Sequence, residues 1–475
     1  MSEQYNIINL SEAPLSIEKA VSSIKTALSL YDYESESSVY PDRPRLVTFC
    51  QPVLPADPAG WLCHQAVYPR LFWMNREKDF SAAGIGIADT IQFEGSSNND
   101  SSFVQFGHLM AEKDPVARYF GGFRFNNSEN QDPIWQGFSS FYFVLPLVQL
   151  TFENGRYSLS CHLWLERGDD PYEKIKAITA VLDRVTACTD CSSMKLPGLL
   201  SLSYNPDETI WMEKCLKALQ TFESGSMEKI MLARQTVLEF SRSFSPLLIL
   251  LRYPYPENTI YRFYFEPVAN HAFFSFSPER LYRRDGNILL TEALAGTCSK
   301  DDTVNGGDHH ASEALLNSEK DIREHRFVRD MIYRELLMVC SDIDMEEEVC
   351  VLQLNRLAHL YTRCTARLKP EFQNDSAVLT LLHPTPAVGG VPKAPALRHI
   401  MDLEPFSRGW YAAPVGWISR ESAEFSVAIR SALVNDSFAY LYSGAGLVKG
   451  SNPFSEWEEV DQKIGDILAI TRQEA

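Results

Sequence analysis

Groups able to give, take or hold a proton or a charge concentrate in a few short stretches of this chain. The first is residues 275–297. Glu279 follows Pro278, whose ring fixes its own backbone and keeps its predecessor extended, so the carboxyl is expected at a defined bend rather than in mid-strand. A carboxyl held there can donate a proton. At the far end, Gly296-Thr297 joins a glycine that admits close approach of a ligand to a hydroxyl. Glu292, between them, reads as a strand-face charge or a supporting partner. Lys229 opens the run Lys-Ile-Met-Leu-Ala-Arg. Glu319, Asp321 and Glu324 fall within an amphipathic run, and Glu456, Glu459 and Lys463 share a helical face at i, i+3 and i+7. Each has an ordinary reading when taken alone. Ser-Pro-Glu is a common turn, a lysine on a strand edge usually faces water, and acids in a first helical turn favour the helix dipole without any ligand.

The elements that must position these groups are marked by period and punctuation. Asp285-Gly286 is expected to turn a hairpin whose arms carry Glu279 and Gly296. Asn154-Gly155, between apolar runs at 141–152 and 157–165, is the clearest hairpin signal in the chain. Ile17, Val21, Ile24 and Leu28 recur at helical spacing. Further helices are expected over 172–185 and, after the cap Asp207, over 210–222. Residues 312–339 read as one long helix, with Leu315, Leu316, Val328, Met331, Ile332 and Leu336 inward and the three acids in its middle. The last helix is expected to start at Ser455, with a capping box to Glu458. Phe120-Gly-Gly-Phe123 reads as a close-packed turn, and residues 346–348 as a solvated one. Gly84-Ile-Gly86 lacks the third glycine and the following helix of a dinucleotide site.

Composition narrows the class. The 475 residues are 45% apolar and 12% aromatic, which excludes general disorder. A formal charge of −18 argues against chain-wide affinity for nucleic acid or anionic membrane, so an anionic substrate would need local cations or a metal. Ten scattered cysteines suit a reducing cytoplasm better than a disulfide scaffold. Cys188-Thr-Asp-Cys191 has no second pair to complete a zinc site and reads as coincidental thiols in a linker. The amino terminus has no export signal, and no run is long and apolar enough to span a membrane. A Cys/Ser/Pro/Gly stretch ending near residue 206 divides the chain into an N-terminal α/β half, 1–206, and a second half, 207–475.

Taken in order, Lys229-Ile-Met-Leu-Ala-Arg, Ser277-Pro-Glu-Arg, Thr291-Glu-Ala-Leu-Ala-Gly-Thr297, Glu319-Lys-Asp-x-x-Glu-His325, His359-Leu, His383-Pro-Thr-Pro-Ala-Val, Arg408-Gly-x-Tyr411, Ala428-x-Arg-Ser-Ala, Gly444-Ala-Gly446 and Glu456-x-x-Glu459-x-x-x-Lys463 resemble the chorismate-utilising enzymes. Within that superfamily, residues 225–470 are most similar to the isochorismate synthases, and the wording is closest to those feeding menaquinone synthesis, although siderophore and salicylate pathways use the same step. The resemblance implies an α+β fold, the chorismate-utilising enzyme fold, in which two large antiparallel β-sheets pack face to face with helices outside. It implies conversion of chorismate to isochorismate with Mg2+. Lys229 matches the family's general base, which activates water, and Glu279 the general acid, which protonates the departing hydroxyl. The base must be neutral to act and the acid protonated, so both should be buried, preferably against an apolar wall. Glu324 and Glu459 match the metal ligands, supported by Glu456 and Asp321. Tyr411, Arg430, Lys463 and the amides around Gly444, Ala445 and Gly446 match positions that hold the substrate carboxylates. Gly296-Thr297 matches the loop near the leaving hydroxyl, and His359 a residue near the ring with no proton role. Ala295 stands where aminodeoxychorismate synthases carry a nucleophilic lysine, and the His383 segment differs from that of anthranilate synthases, so no glutaminase subunit is expected. The alternative is a salicylate synthase, which goes on to eliminate pyruvate, with a non-catalytic chorismate-binding relative behind it. A cytoplasmic monomer, or a dimer, is expected.

Overall fold

The computed structural model describes residues 7–31, 44–95, 99–129, 132–166, 168–187, 191, 194–254, 260–299, 307–354 and 357–472. In chain order its strands begin with β1 (Ile7–Asn9), β2 (Arg45–Pro52), β3 (Arg70–Met74), β4 (Phe80–Phe93), β5 (Tyr119–Phe123), β6 (Phe141–Glu153) and β7 (Arg156–Leu165). Next come β8 (Leu199–Asn205), β9 (Lys229–Phe240), β10 (Tyr261–Val268), β11 (His271–Ser277), β12 (Arg280–Asp285) and β13 (Ile288–Ser299). The set closes with β14 (Cys340–Met345), β15 (Cys350–Gln353), β16 (Leu357–Leu368), β17 (Gly390–Val391), β18 (Pro414–Ile418), β19 (Ser422–Val427), β20 (Ser431–Asn435) and β21 (Phe438–Val448).

Two layers branch from β6. β4 runs along its whole length, but on the other edge residues 148–153 pair with β7 and residues 141–144 with β5. The first layer continues from β7 to β2 and β1, and from β4 through β3, β10, β11, β20, β21 and β9 to β8. The second runs from β5 through β18, β19, β12 and β13 to β16, whose far edge takes β14 and β15. The expected two layers are therefore present, antiparallel except where β1 runs parallel to β2, and joined as one hydrogen-bonded network. Pairs β3–β10 and β5–β18 link strands before residue 206 to strands after it.

Alternation along the strands builds the core. Phe263, Phe265 and Phe273 from the first layer share one buried cluster with Tyr282 and Phe425 from the second. Their neighbours Tyr264, Phe274 and Phe276 face the other way, onto the helices Ile17–Leu30, Leu247–Arg252 and Pro453–Arg472. The helix Glu319–Val339 lies on β13 and β16 and sends Val328, Ile332 and Leu336 into the first of these clusters.

Several local expectations change. Residues 312–339 are two helices, Gly307–Asn317 and Glu319–Val339, broken where Ser318 turns extended and its hydroxyl accepts the Asp321 N–H. The acids therefore sit in the first turns of the second helix, where they also complement its dipole, and Leu316 is exposed. The last helix begins at Pro453, with the Asn452 side chain accepting the Phe454 N–H, so Ser455 is already inside it. Residues 120–123 are strand β5: a Cβ on Gly121 would lie 1.9 Å from the Tyr142 carbonyl oxygen, a close approach that only glycine allows. The β12–β13 turn is Gly286-Asn287, one residue later than expected, with Gly286 at φ +56°.

Candidate active site

A cleft of about 920 Å³, its open mouth included, gathers the residues singled out in the sequence. Lys229, Glu279, Gly296, Thr297, Asp321, Glu324, His359, Tyr411, Arg430, Gly444, Gly446, Glu456, Glu459 and Lys463 all line it. Ala445 does not. It lies in β21, paired with Leu232, and its side chain joins the buried core between the two layers.

Lys229 is the first residue of β9 and is 3% exposed. Its Nζ donates to Glu324 Oε1 at 2.8 Å. Space for the side chain comes from Gly446, where a Cβ would sit 3.3 Å from Lys229 Cε and 2.9 Å from Met231 Sδ. Met231, Leu294, Ala387, Val388 and Ile429 supply the apolar wall.

Glu279, 5% exposed, lies at the bend between β11 and β12. The bend is pinned from several directions. The Glu279 N–H donates to Ser277 Oγ at 3.1 Å, and the Val427 N–H donates to the Glu279 carbonyl at 3.0 Å. Arg76 donates to the Pro278 carbonyl at 2.9 Å. Glu292, on β13, accepts two bonds from Arg76 at 2.9 and 2.7 Å and the Arg280 N–H at 2.8 Å. It is thus a supporting partner of the bend. Burial pushes the Glu279 carboxyl from 4.5 up to about 8, a hydrogen bond from Thr385 Oγ1 at 3.1 Å opposes this, and the Glu292 carboxylate adds to it. At neutral pH this carboxyl carries its proton, as a general acid must.

A second group of contacts orders the end of the cleft beyond the hairpin. Gly296 is the extra residue where β13 and β16 slip register, at φ +77°, with Asp321 Cβ 3.0 Å from where its own Cβ would be. Arg430 takes φ +50° and donates to His359 Nε2 at 2.9 Å. A guanidinium only donates, so this nitrogen accepts and the ring proton sits on Nδ1, 3.2 Å from both the Gly296 carbonyl and Thr297 Oγ1. Burial, then Arg430 and Lys463, hold His359 well below its ordinary pKa. The imidazole is therefore neutral and accepts from Arg430 through Nε2. Tyr411 stacks on Tyr442 with ring centroids 5.3 Å apart, and its hydroxyl lies 2.9 Å from where a Gly444 Cβ would be.

Asp321, Glu324, Glu456 and Glu459 offer carboxylate oxygens, the donors a hard divalent cation takes. No three of them bring ligand atoms within 4.8 Å of one another. Ion pairs account for part of this spread: Glu324 faces Lys229, and Glu459 Oε1 lies 2.7 Å from Lys463 Nζ, which also donates to the Gly444 carbonyl at 2.9 Å. The donor chemistry fits a divalent cation, which Asp321, Glu324, Glu456 and Glu459 would hold through carboxylate oxygens.

Two residues of the cleft region escaped the sequence reading. Thr385 contacts Glu279 from the His383-Pro-Thr-Pro segment, which carried a resemblance but no assigned role. Ser443 lines the cleft with a buried Oγ that has no hydrogen-bond partner among the described residues.

Known proteins resemble this chain along most of its length. The family described as chorismate binding enzyme matches residues 34–472. Isochorismate synthase MenF of Bacillus subtilis (strain 168) is 29% identical over 89% of this chain and 93% of its own length. Isochorismate synthase MenF of Escherichia coli (strain K12) is 30% identical over 88% and 91%. The solved structure of MenF, the menaquinone-specific isochorismate synthase from Escherichia coli, superposes with a TM-score of 0.81 at 27% identity, covering 96% of this chain and 99% of that one. With residues 34–472 matched, the chain belongs to the chorismate binding enzyme family.

Proposed function

We propose that the protein is an isochorismate synthase, and that Lys229 and Glu279 carry the two proton transfers. The observation that supports this most is a buried amine and a buried, protonated carboxyl lining one cleft. The reaction joins a water oxygen to ring carbon 2 and breaks the bond to the hydroxyl at carbon 4. Lys229 takes a proton from the attacking water once its contact with Glu324 is released, because an amine accepts a proton only when neutral. Glu279 gives its proton to the departing oxygen, so that water is consumed and released in equal amount. Arg430 and Lys463 hold the substrate's carboxylates, with Tyr411 and the β21 backbone at Gly444 and Gly446 beside them. Gly296 and Thr297 stand by the leaving hydroxyl, and His359 keeps Arg430 aimed. Magnesium held by Glu324, Glu456 and Glu459, with Asp321 alongside, would neutralise negative charge on the substrate.

The attacking group in this reading is water rather than ammonia, so the reaction calls for no glutaminase. The relatives favour a role in menaquinone synthesis for the product. Purified protein incubated with chorismate and magnesium should yield isochorismate by chromatography, and Lys229→Ala should abolish turnover while leaving the fold intact by circular dichroism. Salicylate and pyruvate as the products would assign the alternative activity. Unchanged turnover in Lys229→Ala would remove Lys229 from the role of base.

A further inference from the structure

Away from the cleft, the turn after the helix Pro58–Leu62 brings two sulfurs and an imidazole together. Cys63, His64 and Cys191 each place a ligand atom within 4.8 Å of the others. His64 Nε2 lies 3.4 Å from Cys191 Sγ. In a tetrahedral zinc site with bonds of about 2.3 Å to sulfur and about 2.0 Å to nitrogen, neighbouring ligand atoms are roughly 3.5–3.8 Å apart. The His64–Cys191 separation is already close to that spacing, and the other two separations are no more than 4.8 Å. Among the described residues no other three His, Cys, Asp or Glu side chains converge so closely, and none of these three lines the cleft.

The backbone that carries Cys63 and His64 is fastened to Thr186, which precedes Cys191 in the chain. Trp61 Nε1 and Gln65 Nε2 both donate to the Thr186 carbonyl at 3.0 Å. Thr186 Oγ1 donates in return to the His64 carbonyl at 3.2 Å. Neither cysteine is in a disulfide. The sequence reading dismissed Cys191 for want of a second CxxC. What it lacked was an adjacent Cys-His pair more than a hundred residues earlier in the chain. Cys188 lies outside the described residues.

We propose that Cys63, His64 and Cys191 bind one zinc ion. Two thiolates and a neutral imidazole provide three protein ligands, and water completes the tetrahedron. Each cysteine gives up its thiol proton on binding, so the dication and two thiolates make a neutral centre and two protons are released per ion. Sulfur donors select zinc over magnesium, which keeps to oxygen. The ion clasps the connection between the helix Pro171–Leu182 and β8 onto the turn that precedes β3. Its effect is on stability rather than turnover.

The test uses the full-length protein, reduced and stripped of metal, titrated with zinc chloride or cobalt chloride in excess magnesium so that the cleft's carboxylates are already served. One equivalent of zinc should bind with release of two protons and a rise in Tm, and cobalt should give thiolate charge-transfer absorption with tetrahedral d–d bands. His64→Ala changes an exposed side chain and so should leave the fold unaffected. It should weaken zinc binding by more than about 100-fold, exceeding the loss expected for a partner outside the ligand set. Cys191→Ser should remove the charge-transfer band, and if that variant does not fold, His64→Ala decides alone. Isochorismate formation should be unchanged in His64→Ala. Undiminished zinc affinity in His64→Ala, or octahedral cobalt without sulfur charge transfer in the unmodified protein, overturns the site.

Discussion

Glu279 is a carboxyl kept protonated by its surroundings, and two outcomes follow from that. Because burial moves it from 4.5 to about 8, kcat/KM should fall as pH rises past about 8, and Glu279→Gln should lower kcat by about 10²–10⁴-fold. The same shift weakens the fold at alkaline pH. A raised carboxyl pKa leaves stability untouched below 4.5 and draws it down as pH climbs to about 8. Glu279→Gln should therefore be more stable than the parent at pH 9 by on the order of a few kcal/mol, read as a higher unfolding temperature, and gain nothing at pH 4. Thr385 gives a separable readout. Its hydroxyl favours the ionised form of Glu279, so Thr385→Val should move the alkaline limb of the pH profile upward; a limb that stays in place would show that Thr385 does not act on Glu279. The sequence put Glu279 at a bend because Pro278 announces one. It could not announce Thr385, more than a hundred residues on, because a threonine shows its partner only after the chain has folded.

Helices and strands aim these groups, and their ends were the hardest part to read. A continuous apolar period over residues 312–339 hides the break at Ser318, since both helices keep the same face on β13 and β16. Only the cap marks the boundary. Ser318→Ala should cost about 1 kcal/mol in denaturant unfolding, the usual value of a lost N-cap. Its larger effect should be on metal affinity, because Asp321 and Glu324 ride on the turn that the cap starts. Glycine pairs misled in a similar way: Gly121-Gly122 looks like a turn in isolation but is strand, and what demands glycine is the neighbouring backbone of β6. The Asn154-Gly155 hairpin was legible, because it depends on neighbours close in sequence.

On the scale of the molecule, the first half of the chain reaches into the second half's chemistry. Arg76, in the turn between β3 and β4, holds both Glu292 and the carbonyl that precedes Glu279. Arg76→Ala leaves the Glu292 carboxylate buried with one guanidinium fewer, and should cost about 3–5 kcal/mol, read as a lower urea midpoint with an unchanged slope. The order of motifs made the layered fold legible, but not the sharing of β6 that fuses the layers, because β6 looks like any long apolar strand. One last consequence comes from β21. β20 leaves it at Tyr442, so residues 443–448 are paired with β9 alone and one margin of the strand opens on the cleft. A bare margin invites a stray polypeptide to add itself as the next strand, the first step toward aggregation. The Lys463 ammonium, by donating to the Gly444 carbonyl, occupies one acceptor on that margin, so a side chain of the cleft also blunts the edge against strand addition.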